Sequence, residues 1–194
     1  VTQPSSTTAI WALQQARSHV APRRLIEPGP TAQQLQQLVL AAAQAPDHER
    51  QRPWRLIEVP RQRRVDLGRA FEAALLERDP QADPDARTSA FDKAQRAPCL
   101  LLAVVRQPQN TDDVPLSERL ISLGCAIQNL LLAAQSMGYG SGLTSGQAMA
   151  SEPLRKLFGL AAHEQAICFV NVGTVSAHKA PRPRPEVSEV FTSL

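Results

Sequence analysis

Leu35, Leu38, Val39, Ala42 and Ala43 recur at i, i+3, i+4, i+7 and i+8, the spacing that keeps apolar side chains on one face of a helix. Thr31 and Gln34 stand just before them as T-x-x-Q, a capping box that satisfies backbone N–H groups at both ends of the first turn. A helix is therefore predicted to start after Thr31, with Pro46 stopping it because proline lacks an N–H and clashes with the preceding turn. Upstream, Ser5 to Ser18 carries Ile10, Leu13 and Arg17 on one helical face. The connection PRRLIEPGP excludes regular helix through Pro22, Pro28 and Pro30. Beyond Pro46 a polar loop, PDHERQRP, leads into WRLIEV, a short strand closed by Pro60. Arg61 to about Arg78 returns to helical spacing, with Val65, Leu67, Ala70, Ala74 and Leu75 on the apolar side.

DPQADPDA reads as an exposed turn, Ala86 to Gln95 as a short helix, and CLLLAVV as a strand buried on both faces. Gln107 to Pro115 is a polar loop. Ser117 is the expected cap of the longest helix, running to about Met137, whose middle, LISLGCAIQNLLLAA, is apolar nearly all round. Such a helix is either a domain core or part of a subunit interface. Gly138, Gly140 and Gly142 alternate with Tyr139 and Ser141, giving a flexible turn or an irregular strand. Ser151 caps a short helix containing Leu154, Leu157 and Phe158 and ended by Gly159; AICFVNVGTV is a second buried strand. In HKAPRPRPEV the alternating prolines impose an extended tail. Three strand candidates among five or more helices imply an α+β or α/β layer structure, between which periodicity does not choose. No repeat or linker divides residues 1–194, so one domain is expected.

Aromatic residues make up 4% of the chain against 43% hydrophobic overall, so leucine, alanine and valine must do most of the packing. The 21 basic and 18 acidic residues leave a charge of +3. That is too mild for nucleic acid, and the arginines are not interleaved with a stacking platform. Cys99, Cys125 and Cys168 form an odd set without C-x-x-C; they read as buried reduced thiols in a cytoplasmic protein. VTQPSSTTAIWALQQAR is polar before it becomes helical, unlike a signal peptide. The apolar stretch Leu120 to Ala134 is too short for a membrane span. There is no P-loop, H-E-x-x-H or nucleophile elbow, and G-Y-G-S-G at 138–142 follows a helix where a dinucleotide fingerprint follows a strand. The histidines lack metal-ligand spacing, so no metal is expected, and no carboxylate pair stands out.

Four blocks carry a family resemblance. APDHERQRPW, from Ala45 to Trp54, resembles the A-P-x-x-x-x-x-Q-P-W signature of the nitroreductase family. GCAIQNLLLAAQSMG, from Gly124 to Gly138, resembles that family's central helix, G-x-A-x-Q-N-L-L-L-A-A-x-x-x-G. RRLIEPGPT resembles the end of its R-R-S-x-R-R stretch and the lead-in to the second helix. NVGTVSAHKAPRPRP resembles its terminal strand, which runs through G-x-P into a basic, proline-rich tail. The blocks occur in the family's order, and the APDH variant is similar to the short, minimal subgroup.

The resemblance implies an α+β fold with a central mixed sheet flanked by helices, an intertwined homodimer, and FMN at the dimer interface. FMN would take a hydride from NADH or NADPH and pass electrons to a nitroaromatic, quinone or similar small acceptor. No catalytic side chain is then required, because the flavin carries the chemistry. The R-R-S-x-R-R stretch falls on His19, Val20, Ala21, Pro22, Arg23 and Arg24, which makes His19, Ala21, Arg23 and Arg24 candidate cofactor contacts; an offset alignment brings in Arg17 and Ser18. His48 matches a position that approaches the flavin from the partner subunit, and Arg50 and Arg52 stand where the family has Asn and Gln. Trp54 is expected in core or interface. Leu143, Thr144, Ser145 and Gly146 align with a flavin-lining W-R-S-G, so the family's Arg is Thr144 here. Lys179, Arg182 and above all Arg184 are the tail's phosphate candidates. The departures leave open an alternative, a degenerate member of the fold with weak or no flavin binding that acts as a non-catalytic binding protein. A module for an acidic partner, built on Arg50, Arg52 and the tail, is disfavoured by the modest charge.

Overall fold

The structure is a computed structural model that describes residues 6–110, 114–177 and 183–194. In chain order its elements are α1 (Ser6–Ala16), β1 (Leu25–Ile26), α2 (Ala32–Ala42), β2 (Trp54–Glu58), α3 (Arg64–Arg78), α4 (Pro84–Asp92), β3 (Cys99–Arg106), α5 (Leu116–Ser136), β4 (Gly140–Thr144), α6 (Glu152–Phe158), β5 (Glu164–Val175) and α7 (Val187–Val190). The capping box forms as expected: Thr31 Oγ1 accepts from Gln34 N at 3.2 Å, and Gln34 Oε1 accepts from Thr31 N at 2.9 Å. Gly159 ends α6 in the left-handed conformation. The longest helix begins at Leu116 with Pro115 as its N-cap, two residues earlier than expected, so Ser117 lies inside its first turn.

β5 is the hub of the sheet. It pairs with β3 along one edge, with β4 through Gly140–Gly173 to Thr144–Phe169, and with the two-residue β1 at Val175 and Thr174; β2 closes the far side on β3. A mixed sheet was the expectation. Every ladder between the described strands is instead antiparallel, and the one parallel contact among them is an isolated bridge between His19 and Ser141. The topology explains this. Between β2 and β3 the chain leaves and returns as the packed helical pair α3–α4, so β3 starts beside the end of β2, with Glu58 opposite Leu101. The single helix α5 then crosses over and delivers β4 parallel to β3, but β5 lies between them.

Alternation along the central strands splits the core into two layers. Cys99, Leu101, Ala103 and Val105 face α2 and α5 together with Cys168, Val170 and Val172. Leu100, Leu102, Val104 and Phe169 face the opposite side, where Leu67 of α3 and Leu154 of α6 cover them. No helix among the described residues is long and apolar enough to cross a membrane. All three cysteines are free. Burial pushes the thiols of Cys99 and Cys168 up to about 12 and about 11, so both are inert packing groups.

One reading left open is decided and one is corrected. Of the turn and the irregular strand expected for the glycine run after α5, residues 140–144 form a strand, β4. On α3 Val65 points outward, and Arg64 is the residue that faces in, 3% exposed. Its guanidinium donates to the carbonyls of Val59, Ala94, Arg96, Ala97 and Pro98 at 2.8–3.4 Å. Four of these belong to the 94–98 segment that feeds β3 and the fifth, Val59, follows the end of β2, positions where no regular ladder can satisfy them. Replacing Arg64 by Met keeps the stem volume but strands these acceptors. Arg64→Met is expected to lose about 3 kcal/mol of unfolding free energy, measured as a lower denaturant midpoint at unchanged slope.

Candidate functional site

The α3–α4 layer covers the β3 half of the sheet and leaves the β4 end open. The gap is a cavity of about 590 Å³. Its floor is Leu100 of β3 with Phe169 and Asn171 of β5. One wall is the inner face of α3 (Phe71, Leu75, Arg78), and a second is α4 and the turn after it (Ala86, Ser89, Ala90, Lys93, Arg96). Thr144, Ser145, Gly146 and the following turn through Met149 form the third, and Pro22 stands at the rim. Arg78 spans two walls, its Nε donating to Ala74 O at 3.0 Å and its Nη1 to the side chain of Gln147.

Two stretches more than a hundred residues apart in sequence meet here. Val20 N donates to Ser141 O at 2.9 Å, and the chain continues past Ala21 into the 3-10 turn Pro22–Arg24. The contact requires glycine at 142, because a Cβ there would lie 2.2 Å from Val20 O. The segment holding His19, Ala21, Arg23 and Arg24 is thereby fixed beside the segment holding Leu143, Thr144, Ser145 and Gly146. Of these, Thr144, Ser145 and Gly146 line the cavity directly. His19 and Arg23 are exposed, Ala21 is half-buried, and Leu143 faces outward. Arg24 is committed to the fold, with Nη1 donating to Ala177 O at 2.8 Å.

Arg184 Nη2 donates to Arg17 O at 2.7 Å, at the end of α1 just before this stretch. Burial lowers the Arg17 pKa from its ordinary value, and the adjacent charge of Arg184 lowers it further. Neither side chain is among the residues that line the cavity. Lys179 and Arg182 lie outside the described residues. Lys93 and Arg96 escaped the motif reading because they sit on a short helix and turn without a recognisable pattern. Only folding turns them toward the cavity, which has three cations in its lining and no carboxylate.

His48, Arg50 and Arg52 do not reach this cavity within the chain. Their loop precedes β2 at the Val105 end of β3, five residues from Leu100, or about 17 Å at 3.4 Å per residue. Glu49, Arg50 and Arg52 adopt left-handed φ of 54°, 56° and 49°, a costly conformation for residues other than glycine. Asp47 holds the turn, its Oδ2 accepting from Arg52 N at 2.8 Å, while Oδ1 is buried without a partner. Trp54 is half-buried, its Nε1 donating to Ser122 Oγ at 3.0 Å. Among the described residues no histidine, cysteine or carboxylate cluster could hold a metal.

His48 Nδ1 lies 2.8 Å from Glu118 Oε2 in the first turn of α5. The hydrogen bond to Glu118 raises the imidazole pKa; desolvation opposes it, and the charges of Glu118, Glu49 and Asp47 add to it. A raised value means the contact favours folding fully below the unfolded value of about 6.5 and loses that contribution as pH rises through the folded value. Glu118→Gln is expected to return the His48 titration, followed by ring-proton NMR, toward about 6.5. An unmoved midpoint would break the assignment.

A model of the Nitroreductase family matches residues 17–174. The chain is 32% identical over 173 residues to an Escherichia coli K12 protein named "Putative NAD(P)H nitroreductase YdjA", covering 85% of this chain and 91% of that one. A Haemophilus influenzae protein named "Putative NAD(P)H nitroreductase" is 32% identical over 152 residues, 78% and 82% of the two chains. Among solved structures, a nitroreductase-like family protein from Bacillus cereus superimposes with a TM-score of 0.82 at 18% identity, covering 100% of this chain and 98% of its own. A Bacteroides fragilis nitroreductase with bound FMN gives 0.73 at 19% identity, covering 95% and 98%.

Proposed function

The chain belongs to the nitroreductase family, and from that membership we propose that it is a single-domain, FMN-dependent oxidoreductase of the cytoplasm. Its electrons come from NADH or NADPH and go to small electron-poor acceptors such as nitroaromatics and quinones. The observation that supports this best is the cavity, where the 19–24 and 143–146 segments converge with cations and no carboxylate.

The lining suits FMN. Its volume is within the ~300–1,000 Å³ of small-molecule sites. Phe71, Leu75, Met149 and Phe169 offer apolar surface to a flat ring. FMN, when bound, supplies the hydride chemistry. Lys93 and Arg96 have no carboxylate partner among the described residues, so they are free to stabilise a ligand's negative charge. His19, Ala21, Arg23, Arg24, Leu143, Thr144, Ser145, Gly146 and Arg184 are the proposed cofactor contacts on one subunit. Arg184 with Arg17 binds the phosphate, Arg24 acts by anchoring the stretch, and the fixed rim at Pro22 helps keep water from the ring.

The partner subunit is proposed to bring His48, Arg50 and Arg52. α5 leaves Leu120 and Ile121 exposed, Ile121 to 65%, and α1, which packs on α5, leaves Ile10 and Trp11 exposed. Val187, Val190 and Phe191 of the tail are exposed as well. An apolar surface of this kind marks an interface. Because His48 is tied to Glu118 at the start of α5, pairing of two copies along that helix would carry the 48–52 loop toward the other copy's cavity.

Purified protein is expected to carry, or take up, one FMN per chain with visible flavin absorbance and to oxidise NAD(P)H with quinone or nitroaromatic acceptors. Arg184→Ala should weaken FMN about tenfold while leaving riboflavin binding unchanged, since only FMN bears the phosphate. Protein that stays colourless in excess FMN would instead favour the degenerate, non-catalytic member of the fold, a reading motivated by the eroded positions His19 and Ala21. Light scattering should return a dimer mass, and Ile121→Glu should shift it to monomer by burying a charge in the contact. A wild-type monomer would sink the shared site.

A further inference from the structure

Asn171 is 2% exposed at the floor of the cavity, opposite Gly142 of β4 and Leu100 of β3. Its Nδ2 donates to Gly142 O at 3.1 Å and to Thr144 Oγ1 at 3.1 Å, with a longer contact to Phe169 O at 3.5 Å. A carbonyl can only accept, so Gly142 fixes the amide: nitrogen toward the strand, Oδ1 away from it. Oδ1 accepts no hydrogen bond from the described residues, and it is not among their buried unpartnered atoms, as expected of an oxygen that reaches the cavity. Thr144 Oγ1 already accepts from Asn171, so its own hydrogen must be donated elsewhere, and no described residue takes it. Both side chains line the cavity. The floor therefore presents an acceptor beside a donor, fixed relative to each other by the bond between them.

We propose that Thr144 and Asn171 together recognise a planar amide or imide edge, in which a C=O stands next to an N–H. Thr144 O–H donates to the ligand carbonyl and Asn171 Oδ1 accepts from the ligand N–H. Two molecules of the proposed reaction carry that edge: the pyrimidine ring of FMN at N3–H, and the carboxamide of the nicotinamide. The W-R-S-G stretch that 143–146 resembles has an arginine where Thr144 stands. The inference rests on the flavin reading for its choice of probes.

Binding of FMN, 3-methyl-FMN, NADH and NADPH is measured for wild type, Thr144→Val and Asn171→Leu. If the pair recognises the flavin, wild type binds 3-methyl-FMN about tenfold more weakly than FMN, Thr144→Val loses about fivefold for FMN, and Asn171→Leu loses the preference for N3–H. If it recognises the nicotinamide, FMN affinities stay level and the dissociation constant of NADH or NADPH rises about fivefold in Thr144→Val. Asn171→Leu also strands Gly142 O and risks the fold, but Thr144→Val is isosteric and the methylated probe leaves the protein untouched. Variants within twofold of wild type for every probe overturn the proposal. A wild type that refuses FMN yet binds NADH or NADPH in a Thr144-dependent way overturns the flavin reading and upholds the pair. Binding of none of the probes overturns both.

Discussion

The backbone of Val20 passes so close to β4 that position 142 cannot carry a side chain, and the carbonyl of Ser141 is bonded to the Val20 amide. A second close approach lies one pleat away, where a Cβ on Gly140 would sit 2.3 Å from Val175 Cγ2. Together they press the 19–24 segment, β4 and the end of β5 into one unit. The cavity is what remains beside that unit where α3 and α4 end. Loosening it would separate the rim at Pro22 from the wall at Thr144–Gly146 before any of the core around Leu102 or Leu130 was disturbed, since these sit at 0% exposure in other layers.

Arginine does unusual structural duty in this chain. Besides Arg64, the buried Arg119 donates to Val114 O and Arg106 O, and Arg155 gathers the carbonyls of Leu160, Ala161 and Glu164. Arg55 forks onto Glu164, which is 7% exposed. Burial alone would raise the Glu164 pKa, but the Arg55 fork and the Ala161 N–H outweigh it and hold the carboxyl below its ordinary value. A guanidinium has five donors in a rigid plane and can satisfy several turn carbonyls at once. With few aromatics to fill space, these clusters tie the irregular connections to the sheet.

α5 serves both sides of this economy. Its inner face, from Leu123 through Leu130 to Ala134, is fully packed on the sheet, while Ile121, Gly124 and Gln128 remain outside. On its outer side the exposed apolar surface is concentrated at Leu120 and Ile121, near its start. The strained 47–52 loop sits at the start of the same helix. In the proposed dimer one contact would cover both features and would tie cofactor binding to assembly.

The sequence by itself determined most elements, because each is set by local chemistry. The Thr31–Gln34 box, the prolines at 46 and 60, the run CLLLAVV and Gly159 act within a few residues of where they stand, and four ordered blocks carried the family. It left β4 open between a turn and an irregular strand, because GSGLT has no apolar alternation and glycine there answers to Val20 and Val175 and not to its sequence neighbours. It misread the inner face of α3, because an arginine looks solvent-bound until five carbonyls are gathered around it. Lys93, Arg96 and Asn171 were not legible as residues of the cavity for the same reason. Their roles come from which way a short helix and a strand face in the tertiary structure, and long-range contact, not local pattern, decides that.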